Sequence, residues 1–219
     1  MIIEATSVCD LKCSGCYAPN VTTKEDANSL LQKTPSLFLL KDRLAASLQL
    51  VEKSEGKISS AAIRGGEPTK HPLLSEILAL VSQSIDSVFL ETHGRWILAD
   101  TEATRNILAS CRSRHITLKL SFDKMHGLST EKLRAITNKL SSLGNSYLIA
   151  ITESSIDDFL RTRRLCDWLS DDQIIFQKKA FLAKELIQPK MGVIRVNGTW
   201  TNGLSTKATF SGARKEVAV

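Results

Sequence analysis

Several things are missing from this sequence, and each absence excludes something. No stretch of 18 apolar residues occurs, so no helix is predicted to span a membrane. The start, Met1-Ile2-Ile3-Glu4-Ala5-Thr6, lacks the basic segment and long apolar stretch of a secretory signal. The expected compartment is therefore the cytoplasm, where thiols stay reduced. Aromatic residues make up only 5% of the chain. None is interleaved with the basic groups Arg161, Arg163 and Arg164, Lys178, Lys179 and Lys184, or Lys207, Arg214 and Lys215. A net charge of +6 and a pI near 9.1 thus read as a solvated basic surface rather than a nucleic-acid platform. The cysteines number 5, an odd count that argues against a disulfide framework. What the chain does have is 219 residues, 42% of them hydrophobic, enough for one full-sized core.

Three of those cysteines are crowded into one short segment. Cys9, Cys13 and Cys16 follow a C-x3-C-x2-C spacing, and no fourth cysteine lies nearby. Three thiolates hold three corners of a metal site and leave the fourth open, which is the arrangement of a reactive centre rather than a closed structural one. An iron–sulfur cluster and a zinc ion are both compatible with the triplet, and a disulfide is the bland alternative. Cys111 and Cys166 stand alone among apolar residues of helical segments and read as buried, inert thiols.

A second motif, Arg64-Gly65-Gly66-Glu67-Pro68, follows the apolar stretch Ser60-Ala61-Ala62-Ile63. With both motifs at strand ends and in this order, the first part of the chain, residues 1–155, resembles the radical S-adenosylmethionine (SAM) superfamily. Weaker echoes are Glu91-Thr92-His93-Gly94 and Ser121-Phe122-Asp123. The resemblance implies an α/β fold, a partial (β/α)6 barrel. It also implies a [4Fe–4S] cluster held by Cys9, Cys13 and Cys16, with the methionine end of SAM on the fourth iron. The reduced cluster would cleave SAM to a 5′-deoxyadenosyl radical that takes hydrogen from a peptide or small-molecule substrate. An electron donor such as flavodoxin or ferredoxin is expected. The alternatives are an activase that installs a glycyl radical on a partner enzyme, or a non-catalytic zinc or electron-transfer protein.

Further site residues follow from the same resemblance. Gly65 and Gly66 would let the backbone approach SAM, since they have no Cβ. Glu67 would meet the SAM ammonium, and Pro68 would fix the turn. Thr92, in the first of the two echoes, is expected to be a cofactor-binding residue as well. Ser121 and Asp123 would meet the SAM ribose or carboxylate, or the substrate. Tyr17 has two readings, stacking near adenine or plain packing. The superfamily often has an aromatic just before the last cysteine; Gly15 stands there instead. His93 and His126 follow strands three and four, where each could act as a proton donor or substrate ligand.

Strands and helices alternate along the chain. Strands are expected at Ile2–Thr6, Ser59–Arg64, Ser87–Glu91, Ile116–Ser121, Tyr147–Ile151 and Gln173–Phe176. Helices are expected at Ser36–Lys53, from Pro72 through Val81, at Thr101–Ser110, Ser129–Leu143 and Ile156–Leu169. Such alternation predicts a parallel sheet covered by helices, with the site at the C-terminal strand ends. The barrel is expected to occupy residues 1–185. Residues 186–219 are expected to form a short β extension, two strands about Asn197-Gly198, and a basic tail.

Overall fold

The computed structural model describes residues 1–13, 16, 36–123, 126–153, 155–178 and, for the backbone, 194–195. Tyr17, Gly15, the Asn197-Gly198 turn and the tail lie outside the described residues.

Six strands run parallel: β1 (Ile2–Thr6), β2 (Ser60–Gly65), β3 (Ser87–Thr92), β4 (Thr117–Phe122), β5 (Tyr147–Glu153) and β6 (Ile174–Lys178). A two-residue strand, β7 (Ile194–Arg195), pairs antiparallel with β1. The sheet order is β6-β5-β4-β3-β2-β1-β7. Sequential strands are neighbours throughout the parallel part, as right-handed crossover units require. The order has two ends, so the sheet is open among the described residues, an incomplete barrel.

Helices α1 (Leu37–Lys53), α2 (Leu74–Ser82), α3 (Glu102–Ser113), α4 (Thr130–Ser142) and α5 (Ile156–Arg164) connect these strands. Local chemistry sets their starts. Ser36, Thr101, Ser129 and Ser155 each accept a hydrogen bond from a backbone N–H three residues on, satisfying a donor that the first turn leaves unpaired. Pro72 does not open α2. A 3-10 turn at Pro68–Lys70 comes first, Leu73 occupies the cap position, and the helix begins at Leu74. Pro68 sits at the start of that 3-10 turn, where its lack of an N–H costs nothing. The fifth helix ends at Arg164 rather than Leu169, because the Cys166 N–H turns back to the Arg163 carbonyl.

The two faces of the sheet differ. On one, Ile3, Ile63, Leu90, Leu118, Leu120, Ile149 and Ile151 pack against Leu44, Ile77, Leu78, Leu108, Leu133, Ile136 and Leu140 of the helices. Burial of each such side chain contributes ~1.5–3 kcal/mol. Cys111 and Cys166 lie in this core with no exposed surface, and burial pushes their thiols up to about 12 and about 11. The alternating positions put Glu4, Arg64, Glu91 and Lys119 in one row across β1–β4 on the other face. Arg64 Nε meets Glu4 Oε1 and Lys119 Nζ meets Glu91 Oε1, both at 2.9 Å. Charges that cross the sheet in alternating sign neutralise one another in a buried place, where an unpaired one would be costly.

Candidate active site

The chain turns out of β1 into the cysteine loop, and the next strand end pins that turn. The Gly66 N–H donates to the Thr6 carbonyl at 2.7 Å, and the Glu67 N–H donates to the Val8 carbonyl at 2.7 Å. The backbones are too close for side chains. A Cβ on Gly65, whose φ is +154°, would stand 2.0 Å from Thr6 O; one on Gly66 would stand 2.4 Å from Val8 O. These glycines thus permit a close backbone approach to the β1–cysteine turn.

Glu67 is fully buried. Its carboxylate accepts from Thr92 Oγ1 at 2.8 and 2.9 Å, Thr69 Oγ1 at 2.8 Å, Thr69 N at 3.3 Å and His93 N at 3.1 Å. Thr92 in turn accepts from Gly94 N and Trp96 Nε1. Both residues thus join the ends of β2 and β3. The Glu67→Gln substitution places an amide NH2 among donors. It is expected to cost ~2–3 kcal/mol and, at ~2–4 °C per kcal/mol for a chain of this size, to lower the Tm of the metal-free protein by roughly 4–12 °C. Differential scanning calorimetry checks this; an unchanged Tm would mean the carboxylate is not the hub.

His93 carries the network into the cysteine loop. Its Nδ1 accepts from the Arg95 N–H at 3.1 Å, which leaves the proton on Nε2. Nε2 then donates to Asp10 Oδ1 at 2.9 Å, while Lys70 Nζ meets Asp10 Oδ2 at 2.9 Å. His93 first, then Lys70, hold the Asp10 carboxyl well below the usual carboxylate range. Asp10 is thereby anchored from two strand ends, one residue after Cys9.

Cys9, Cys13 and Cys16 form no disulfide and are half-buried. Burial pushes Cys9 up to about 11, against a Leu11 N–H that donates to its sulfur at 3.4 Å. Burial also raises Cys13, helped by Cys16 and Asp123. In the metal-free protein Cys9 keeps its proton at neutral pH. Its alkylation by iodoacetamide is expected to rise about tenfold per pH unit from pH 7 toward 11, read by mass spectrometry. Because the folded thiol binds its proton more tightly than the ordinary thiol at 9.0, the group's contribution to stability is lost as pH rises from 9.0 through about 11.

The residues present suit a cluster better than a single ion. Among the described residues, one set of ligand atoms lies within 4.8 Å of one another, and it is Cys9, Asp10 and His93 rather than the three cysteines. In that set the histidine nitrogen facing Asp10 carries the proton, and the other nitrogen accepts from Arg95, so the ring is in the wrong tautomer to ligate there. Cys16 raises the proton affinity of both Cys9 and Cys13, yet the three thiols do not form a set within 4.8 Å, a spacing that separate irons accept and a single ion does not.

Ser121 and Asp123 end β4 on the same side of the sheet as these loops. Ser121 is half-buried; Asp123 is buried, and its Oδ1 accepts from the His126 backbone N–H at 3.0 Å and meets His126 Nδ1 at 2.8 Å. Arg95 fastens this loop to β3 by donating to the carbonyls of His126 and Gly127. The sequence reading missed Asp10, Lys70 and Arg95. Only the position of Asp10 between two cysteines offered a signal, since partners distant in sequence leave no trace in spacing.

No family model matches the chain, and no curated protein matches it in sequence. Solved structures match it in fold. Streptococcus suis SuiB bound to the precursor peptide SuiA is 19% identical with a TM-score of 0.56, over 82% of this chain and 39% of that one. SuiB bound to S-adenosylmethionine is 19% identical with a TM-score of 0.54, over 84% and 40%. The protein anSMEcpe with bound AdoMet is 18% identical with a TM-score of 0.51, over 81% and 48%. The chain spans less than half the length of these structures. Its fold is similar to that of SuiB and of anSMEcpe.

Proposed function

We propose that this chain is a radical SAM enzyme acting on a peptide. The observation that carries the reading is three half-buried cysteines outside any disulfide on the loop after β1, whose start is locked by backbone hydrogen bonds from the Gly65-Gly66-Glu67 turn after β2 to Thr6 and Val8. Cys9, Cys13 and Cys16 would hold a [4Fe–4S] cluster, and SAM would bind beside them. When bound, these groups supply reductive cleavage of SAM and a 5′-deoxyadenosyl radical that takes a hydrogen atom from the substrate. The chain's own part is placement. Gly65, Gly66 and Pro68 set the turn against the cysteine loop. Glu67, Thr92 and His93 tie three strand ends together, and Asp10 holds the loop between the first two ligands. Ser121 and Asp123 stand on the neighbouring loop, where ribose or substrate would lie. SuiB's complex with a precursor peptide supports the peptide as substrate. An electron donor such as flavodoxin or ferredoxin would reduce the cluster.

Anaerobic reconstitution with iron and sulfide, followed by dithionite and SAM, tests the reading. Brown charge-transfer absorbance and formation of 5′-deoxyadenosine are expected. A colourless protein, or a brown one that leaves SAM intact, would sink it.

A further inference from the structure

One buried hydroxyl near the cysteine loop has no partner among the described residues. Ser7 is 6% exposed, and its Oγ is buried without a hydrogen bond. Its neighbours are fully engaged. Thr6 accepts from Gly66 N through its carbonyl and from Val8 N through its hydroxyl, and the Val8 carbonyl accepts from Glu67 N. The Ser7 carbonyl itself lies 2.7 Å from where a Gly66 Cβ would be, so the residue is held tightly against the turn. An unsatisfied buried hydroxyl is costly, and the backbone that carries this one is held in place. The other buried orphan on a histidine, His71 Nε2, belongs to a different setting. His71 follows the 3-10 turn, its Nδ1 accepts from the Leu73 N–H at 3.0 Å, and burial lowers its proton affinity against the pull of Glu76 in α2.

Resting on the radical SAM reading, we propose that Ser7 Oγ donates a hydrogen bond to an anionic acceptor of the bound cofactors, two residues before the first ligand. That acceptor is either a sulfur of the cluster or the carboxylate of SAM; both are anions that a fixed, dry hydroxyl favours. A donor to cluster sulfur stabilises the more negative, reduced state and raises the reduction potential. A donor to the SAM carboxylate tightens SAM binding instead. Ser7 is in either case a positioning and tuning residue.

The test compares reconstituted wild type with Ser7→Ala and Ser7→Thr. The metal-free Ser7→Ala protein is expected to melt no lower than wild type, since it loses only an unpaired group. Spectroelectrochemical titration without SAM is expected to show about a tenfold lower reduced-to-oxidised ratio for Ser7→Ala at a fixed potential, a shift of about 59 mV for one electron. Ser7→Thr, which keeps the hydroxyl, should restore it. If the potential is unmoved but the dissociation constant for SAM rises about tenfold, the acceptor is the SAM carboxylate. A loaded Ser7→Ala protein matching wild type in both potential and SAM affinity overturns the inference alone. A wild type that takes up no cluster overturns the functional reading, and this inference with it.

Discussion

Replacing Cys9, Cys13 and Cys16 together by alanine is expected to abolish cluster uptake and 5′-deoxyadenosine formation while leaving the fold intact. The three thiols are half-buried and stand outside the core that Ile63, Leu90, Leu118 and Leu133 build. Partly exposed substitutions away from core features change stability by about ±0.5 kcal/mol each, so the three together should move the metal-free Tm by roughly 6 °C or less. Iron content, absorbance near the sulfide charge-transfer band and product analysis read the first effect, and calorimetry the second. Full activity in the triple variant would remove the ligand assignment. A collapsed Tm would instead show that the loop holds up the fold.

Gly65→Ala is expected to have the largest effect of any glycine-to-alanine change among the described residues. The new Cβ would sit 2.0 Å from Thr6 O and 3.0 Å from Thr6 N, both backbone atoms of a central strand, at a φ of +154° that side chains rarely adopt. Neither neighbour can rotate away, so β1 and β2 must separate at the point where the cysteine loop departs. Overpacking and backbone strain together cost about 3 kcal/mol or more, a Tm loss of roughly 6–12 °C. Cluster occupancy should fall further than stability alone explains. Gly144→Ala is the matched control: its φ of +69° is strained, but its nearest neighbour is Arg112 Cδ at 3.8 Å, so only the backbone penalty of about 1 kcal/mol applies. Equal losses at the two positions would show that the close approach at Gly65 does not matter.

Much of the fold was legible because it depends on local signals. Apolar runs such as Ala61-Ala62-Ile63 and capping serines such as Ser36 and Ser129 act within a few residues, and the strands and helix starts fall where those signals place them. Pro72 misled for a local reason as well: a 3-10 turn inserted itself between the glycine turn and α2. The cysteine triplet and Gly65-Gly66-Glu67 were visible as types and spacings. Their mutual grip was not, because it is made of backbone atoms from strands far apart in sequence. The His93–Asp10–Lys70 latch was hidden for the same reason, as was the full occupation of Thr92 and Glu67 by protein partners.

The pairing of β7 with β1 has a consequence for how the chain is made. Translation delivers β1 first and β7 near the other end, and at ~5–20 residues per second the two leave the ribosome roughly 10–40 s apart. Over that interval the strand that leads into the cysteines has one open edge, the geometry that invites pairing with another nascent chain. The start of the strand that leads into the cysteines thus gains its β7 partner only after β6 has been made, and slow decoding between β6 and β7 would prolong its vulnerability.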